Sequence, residues 1–196
     1  MRELVLKMSM TLDGFVCGPA GEADWMFGTD PQAKAWVLET VWNASLHVMG
    51  SRSFQDMAGY WPTSTLPFAA PMNQIPKAVF SKQGPAALKV ATAPAGPLPP
   101  GGPDWAEAYV ASGDLADEIA QLKAGDGKPI LAHGGARFAR SLVAQNLVDE
   151  YALVVHPIVL GQGLSIFSGL PAPRPLKRVS SQAFPGGAVA IRYRPA

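Results

Sequence analysis

The sequence has little cysteine, little net charge and no long apolar run, and each shortage excludes a class of protein. Its single cysteine, Cys17, cannot form an internal disulfide, which is typical of a reducing compartment. Sixteen Lys and Arg against fifteen Asp and Glu give a net charge of +1, so no basic field predicts binding to nucleic acid or to an anionic membrane. No apolar run approaches the ~18 residues that span a bilayer, and the N-terminus lacks a signal-peptide pattern. We therefore expect a cytoplasmic protein.

The commonest nucleotide-binding and metal-binding motifs are also missing. There is no GxxxxGK[ST] sequence, and Gly161-Gln162-Gly163 is followed by Ile166 where GxGxxG requires glycine, which argues against a P-loop nucleotidase and an ordinary Rossmann dehydrogenase. No HxxxH or CxxC spacing indicates zinc, and Cys17 has no histidine near it in sequence, so we predict neither a metal site nor a thiol nucleophile. Histidines in or beside separate predicted strands are more often packed than metal-bound: His47, His133 and His156.

Composition predicts one folded domain. Apolar residues make up 48% of the 196 residues and charged residues 16%, which suits a globular chain with an ample core. We expect a single domain over residues 1–196. The Pro/Gly-rich stretch 94–103 is interpreted as a surface loop rather than a linker, because neither flank is long enough to fold alone.

Strands and helices alternate along the chain. Short apolar runs bounded by Gly, Pro or Asp predict strands over 4–10, 46–49, 77–81, 88–90, 129–132, 149–156, 176–181 and 188–193. Apolar spacing and capping residues predict helices over 31–44, over 112–124 and over 136–145, and a short helix that begins at 51 and cannot pass Gly59 and Pro62. This order predicts a three-layer α/β fold, with a mixed, mainly parallel sheet and a C-terminal antiparallel hairpin.

Two predicted strand-to-helix junctions are suited to phosphate groups. Gly50-Ser51-Arg52-Ser53 and Gly134-Gly135-Ala136-Arg137-Phe138 each combine glycine, free helix N–H groups and an arginine. Two such junctions in one domain favour a dinucleotide, and Lys82 after Ser81 could meet a third phosphate, which favours NADPH. The alternatives are a plain turn with a solvated arginine, a glycine pair needed only for helix–sheet packing, and a solvated lysine. Trp25 and Trp61 fall in predicted loops where a flat ligand could stack.

Six blocks of the sequence resemble, in order, a known family. They match the stand-alone relatives of the reductase domain of the bacterial riboflavin-biosynthesis deaminase–reductase, within the dihydrofolate-reductase-like superfamily. The blocks lie between residues 9 and 167 and are Ser9–Gly14 (S-L-D-G), Val48–Phe54 (M-G-R-x-T-[FY]), Met57–Pro62 (Y-W-P), Pro76–Ser81 (P-K-x-V-x-S), Gly134-Gly135 with Leu147–Tyr151 (G-G, L-V-D-E) and His156–Gly163 (P-x-x-[LI]-G-x-G).

The resemblance implies a dihydrofolate reductase-like fold, bound NADPH and hydride transfer to a C=N or C=O bond of a pteridine-like or pyrimidine-like ring. It places Gly50, Ser51, Arg52 and Ser53 at phosphates on the adenosine side, and Ser81 and Lys82 at the ribose with its 2′-phosphate. It places Gly134, Gly135, Ala136, Arg137 and Phe138 at the diphosphate and nicotinamide. It also implies a homodimer paired through a sheet edge.

Three residues are candidates for the proton donor that assists hydride transfer. Asp13 is one, although an Asp-Gly pair more commonly caps a turn. Asp30 lies five residues after Trp25, the spacing of the carboxylate in dihydrofolate reductase, but Asp30 also suits an N-cap. His133 occupies the position where the riboflavin reductase carries Glu. The main hypothesis is an NADPH-dependent reductase, and the alternative is a non-catalytic nucleotide-binding or regulatory protein on the same scaffold.

Overall fold

The computed structural model describes residues 1–27, 30–88 and 105–196, and within them eight strands form one sheet. The strands are β1 (Leu4–Thr11), β2 (Leu46–Gly50), β3 (Lys77–Phe80), β4 (Tyr109–Ala111), β5 (Ile130–Ala132), β6 (Glu150–His156), β7 (Leu176–Ala183) and β8 (Val189–Pro195). The helices are α1 (Pro31–Trp42), α2 (Ser51–Tyr60), α3 (Ala69–Gln74), α4 (Leu115–Lys123) and α5 (Ala136–Ala144). Short 3-10 helices cover Asp24–Phe27, Trp61–Thr63, Gly84–Leu88 and Trp105–Glu107.

The sheet is mixed, with the order β4-β3-β2-β5-β1-β6-β8-β7. The first six strands in this order, which end at β6, pair in parallel. The strand β8 pairs antiparallel with β6, and β7 pairs antiparallel with β8. The predicted mixed sheet with a C-terminal hairpin is therefore confirmed. Because β5 lies between β2 and β1, the loops that follow these three strands leave the sheet side by side at its carboxyl edge.

Local sequence explains where two of the helices begin. Asp30 caps α1 by accepting hydrogen bonds from the backbone N–H groups of Gln32 and Ala33, and Pro31 supplies the fixed φ of the first helical position. Asp114 caps α4 in the same way. Both starts agree with the sequence, because a cap acts within one turn and needs no partner from elsewhere in the fold.

The region between β3 and α4 differs from the prediction. The strand predicted over 88–90 is wrong at Leu88, which ends a 3-10 helix, and the strand that pairs with β3 is β4, Tyr109–Ala111. Residues 89–90 and the predicted loop 94–103 lie outside the described residues. Helix α3 was not predicted either, and the predicted limit of α2 at Gly59 is wrong, because α2 continues through Gly59 to Tyr60. Such short elements are set by the surface on which they pack rather than by their own periodicity.

Helices cover both faces of the sheet. On one face, α4 and α5 bury apolar side chains against β1 and its neighbours, including Leu6 and Met8. On the other face, α1 packs on β6 and β8 while α2 packs on β2 and β3, with Phe54 fully buried. The two helices on this second face flank the central strands β5 and β1. In the part of the chain that the structure describes, no helix is long and apolar enough to cross a membrane.

Candidate functional site

The two glycine junctions meet at the carboxyl edge of the sheet. The N–H of Gly50 donates to the carbonyl oxygen of Gly134 at 3.1 Å, which joins the end of β2 to the loop after β5. The ring of Phe138 in α5 lies 4.8 Å from that of Phe80 at the end of β3. The helices α2 and α5 therefore begin next to each other, so one extended anionic ligand could reach both N-termini.

The glycines at this junction are required by close packing. A Cβ on Gly135 would lie 2.8 Å from Oγ of Ser53, and a Cβ on Gly50 would lie 3.1 Å from Cβ of Phe138. Gly134 has a φ of +92°, a conformation that side chains rarely adopt, and a Cβ there would lie 2.9 Å from Sδ of Met8. The Gly134–Gly135 peptide bond is cis. Close helix–sheet packing, the alternative explanation of the glycine pair, therefore applies here. The same packing brings the starts of α2 and α5 together.

The N-termini of α2 and α5 differ from those of α1 and α4. Gly50 and Gly135 occupy the N-cap positions, and neither helix has a side-chain cap. The aspartates that cap α1 and α4 occupy the positions where an anion would bind, whereas the first N–H groups of α2 and α5 have no such side-chain acceptor. This contrast fits an external anion at the junction.

Cationic side chains surround this edge. Arg52 and Arg137, each in the first turn of its helix, are exposed, and neither guanidinium has a hydrogen-bond partner among the described residues. Ser81 follows β3, and its Oγ accepts from the N–H of Gln83 at 3.2 Å. The ammonium of Lys82 donates to the carbonyl oxygen of Gly113 at 2.7 Å. The basic groups on this edge are therefore compatible with phosphates.

Asp13 and Asp30 are both engaged by backbone N–H groups. Asp13 accepts from Oγ1 of Thr11 at 2.6 Å and from the N–H of Gly161 at 2.7 Å, and these bonds, the one from Thr11 first, lower the pKa of Asp13. Asp30 accepts from the N–H of Gly186 at 2.5 Å in addition to its cap, which lowers its pKa. Both are carboxylates at neutral pH, so neither holds a proton to donate there.

His133 lies against a second histidine. Its ring meets that of His47 edge to face, with centroids 4.5 Å apart. Burial is the main reason that the pKa of His133 is held well below its usual range, and electrostatic interactions with the nearby His47 and Lys7 lower it further. Burial likewise lowers the pKa of His47 to about 4. Both rings are therefore neutral at pH 7, and Nε2 of His133 is buried without a hydrogen-bond partner.

Lys7 is a site residue that the sequence analysis missed. In β1, Leu6 is paired with Ala132 of β5, so Lys7 and His133 follow side by side on the face that α1 and α2 flank. Burial lowers the pKa of Lys7 to about 8, yet the side chain is still partly exposed on this face of the sheet. Its ammonium has no hydrogen-bond or ion-pair partner in the described part of the chain. The sequence offered one indication of this residue, because Lys7 is a lysine in the middle of an otherwise apolar predicted strand.

Trp25 and His156 lie further towards the carboxyl edge, where His156 is paired with Thr11 of β1. Their rings meet edge to face at 5.3 Å, and both Nε1 of Trp25 and Nε2 of His156 are buried without a partner. Burial and the charge of Lys7 lower the pKa of His156. We call the surface region that carries Lys7, Trp25, His133 and His156 the polar groove. Trp61, by contrast, packs against Tyr60 and Phe68.

Two clefts of about 470 and 210 Å³ lie at the opposite, amino edge of the strands. Both are lined by Arg192, which pairs with Glu150 at 2.6 Å and lies over the ring of Trp36. The main charged groups of these clefts, Arg192 and Glu150, are thus already paired with each other. The buried nitrogens without a hydrogen-bond partner in the polar groove lie near the carboxyl edge instead. We therefore assign the functional site to the polar groove and the adjoining junctions. Within the described residues, no group of three or more His, Cys, Asp or Glu side chains could hold a metal ion.

We predict that the buried imidazole of His47 makes stability depend on pH. The unfolded state takes up a proton near pH 6.5, whereas folded His47 does so only near pH 4. Its contribution is therefore complete above pH 6.5 and is lost as the pH falls from 6.5 towards 4, by about 2 kcal/mol at pH 5. Urea unfolding at pH 7 and pH 5 measures this loss. His47→Gln should show a smaller difference between the two pH values, and an unchanged difference would contradict the assignment.

We predict that Asp30→Asn is milder than Asp30→Ala. Asparagine keeps an acceptor oxygen for the N–H groups of Gln32 and Ala33, whereas alanine leaves the start of α1 uncapped. Denaturant midpoints of the two variants test the order. Equal losses would mean that the cap contributes nothing and that the bond to Gly186 carries the whole effect.

The chain is similar to proteins of one known family. Residues 2–190 match the family described as the RibD C-terminal domain. The uncharacterized protein YyaP of Bacillus subtilis is 29% identical over 192 residues, which are 98% of this chain and 94% of that protein.

Solved structures share the fold. A putative riboflavin biosynthesis protein from Shewanella sp. PV-4 superposes with a TM-score of 0.69 at 20% identity and 99% coverage of both chains. The Thermotoga maritima diaminohydroxyphosphoribosylaminopyrimidine deaminase/5-amino-6-(5-phosphoribosylamino)uracil reductase gives 0.69 at 19% identity, over all of this chain and 57% of that one. The fold and the family match over nearly the whole length together show that this chain belongs to the RibD C-terminal domain family.

Proposed function

We propose that this protein is an NADPH-dependent reductase of a pteridine-like or pyrimidine-like heterocycle. The observation that carries the proposal is the meeting of two helix N-termini without side-chain caps, through the bond from Gly50 to Gly134, beside the polar groove. Membership of the family supports it, as does the reductase named in the Thermotoga maritima protein of the same fold.

NADPH fits the residues at the carboxyl edge. Gly50, Ser51, Arg52 and Ser53 would hold phosphate on the adenosine side, and Ser81 with Lys82 would meet the ribose and its 2′-phosphate. The start of α5, from Gly134 to Phe138, would hold the diphosphate and the nicotinamide. The cofactor supplies a hydride when bound, and the chain's task is to hold the acceptor ring at about 3–3.5 Å and to supply a proton.

Lys7 is the group best suited to give that proton. With a pKa of about 8 it is mostly protonated at neutral pH, and its ammonium faces the groove without a partner. The proton would pass from Nζ to the nitrogen or oxygen of the C=N or C=O bond whose carbon accepts the hydride. Asp13, Asp30 and His133 remain predicted donors, although at pH 7 the two aspartates are carboxylates without a proton and the imidazole of His133 is neutral.

We predict that Arg52→Ala weakens NADPH binding by roughly 1–3 kcal/mol, or about 5- to 150-fold, because a charge-assisted contact is lost. Titration followed by nicotinamide fluorescence measures the affinity. The control is Lys128→Ala, which also removes one positive charge, since Lys128 is exposed before β5 at the amino edge of the sheet. Failure of the wild type to bind below millimolar concentration would end the proposal, and an unchanged affinity in Arg52→Ala would remove the arginine from the site.

A screen of NADPH oxidation against dihydrofolate, dihydrobiopterin and ribosylaminopyrimidines separates the reductase from the alternative. Turnover of any of these compounds excludes a non-catalytic binding protein. Saturable NADPH binding without any turnover across the screen would favour that alternative.

The proposal includes a homodimer formed through β7. This strand lies at the edge of the sheet, and its residues from Lys177 to Ala183 are exposed. An unpaired strand edge is a template for pairing with a second copy, and a lysine on the edge opposes such pairing. We predict that light scattering after gel filtration gives twice the mass of one chain for the wild type and a shift towards the monomer for Val179→Lys. A monomeric wild type would contradict this part of the proposal.

A further inference from the structure

Lys7 differs from the other lysines of the described ranges in what its ammonium meets. In β1 every other residue is buried, and no described residue bonds or pairs with the ammonium of Lys7. Two of the other lysines, Lys34 and Lys177, are exposed to water. The ammonium groups of the remaining four each meet an oxygen of the protein within 3.4 Å, and they belong to Lys77, Lys82, Lys123 and Lys128.

No neighbouring carboxylate compensates the charge of Lys7. Glu150 of β6 lies on the same face of the sheet, paired with Val5, but its two oxygens accept from Arg192 and Arg194. Burial is the one cause of the lowered pKa of Lys7, so no ion pair opposes it. The neutral amine is therefore favoured more at Lys7 than at a lysine in water.

The neighbours of Lys7 in the sheet leave its amine accessible. On one side Lys7 is paired with Ala152 of β6, which has a small side chain. On the other side lies His133, which is neutral at pH 7. The side chain of Lys7 is partly exposed, so a small molecule from solvent can reach Nζ. A lysine amine that is desolvated, unpaired and accessible meets the conditions for a nucleophile.

We infer that Lys7 is a covalent binding site for an aldehyde, which it holds as an imine on Nζ. The lone pair of Nζ attacks the carbonyl carbon, the C=O electron pair moves to oxygen, and a proton passes from nitrogen to oxygen to give a carbinolamine. Loss of the hydroxyl group with the second nitrogen proton, as water, leaves a C=N bond without any change in oxidation state. The inference goes beyond the proposed function, because this step requires no NADPH.

The protonation of Lys7 sets the size of the expected effect. A lysine with a pKa of about 8 carries a free amine in about one molecule in ten at pH 7, against about one in 2,500 for the ordinary value of about 10.4. A less basic amine is also a weaker nucleophile, which offsets part of this difference. We therefore expect Lys7 to form an imine at least about tenfold faster than the exposed lysines.

The probe is salicylaldehyde, whose imines absorb at longer wavelength than the free aldehyde. The full chain is mixed with it at pH 7 without NADPH, the imine is reduced with borohydride at timed intervals, and peptide mass mapping locates the adduct. We expect the adduct on Lys7 to form at least about tenfold faster than on Lys34 and Lys177. At pH 10 this advantage should shrink, because lysines in water then also carry free amines.

A matched pair of substitutions tests the residue itself. Lys7→Arg keeps the positive charge but cannot form the imine, because a guanidinium does not lose its proton in proteins, and the fast adduct should disappear. Lys34→Arg makes the same change on the exposed face of α1 and should keep the fast adduct. Circular dichroism shows whether each variant is folded.

Equal rates at Lys7, Lys34 and Lys177 in the wild type would overturn the inference, and this outcome is read without any variant. A fast adduct that persists in folded Lys7→Arg would also overturn it. NADPH binding is measured separately by nicotinamide fluorescence. A fast adduct on Lys7 in a chain that does not bind NADPH would mean that the inference holds while the proposed function fails, and the reverse result would mean the opposite.

Discussion

The structure depends on the placement of β5 between β2 and β1. This order lets the N–H of Gly50 bond to the carbonyl oxygen of Gly134, and it brings the starts of α2 and α5 together. Because neither helix is capped by a side chain, their unpaired N–H groups form one electropositive edge. The glycines at this junction allow the two helix starts to approach closely, and the same approach brings together the N–H groups that we propose bind phosphate.

The same strand order creates the polar groove. Alternate residues of β1 point to opposite faces, so Leu6 and Met8 enter the apolar layer under α4 and α5, while Val5 and Lys7 face the layer of α1 and α2. Val5 is buried in the core, whereas Lys7, two residues closer to the carboxyl edge, is partly exposed. The transition from buried apolar to partly exposed polar side chains along this face marks the limit of the core.

The sequence predicted much of the fold because its signals were local. Asp30-Pro31 and Asp114 mark helix starts within a single turn, and the glycine junctions mark the loops after β2 and β5. The prediction was wrong at Leu88 and missed β4, a three-residue strand that exists because β3 offers it an edge. At the candidate site, the predicted basic and glycine residues lie at the carboxyl edge, whereas Lys7 was treated as part of an apolar strand.

The sequence by itself determined the helix caps, the alternation of strands with helices, the C-terminal hairpin and the two glycine junctions, because each rests on interactions within a few residues. Only the tertiary structure decided that the two junctions touch, that Lys7 lies beside His133, and that Trp25 meets His156. These contacts join residues far apart in the chain through the order of strands in the sheet. Burial then sets the protonation of the groove, because its effect on a pKa depends on neighbours that no local pattern specifies.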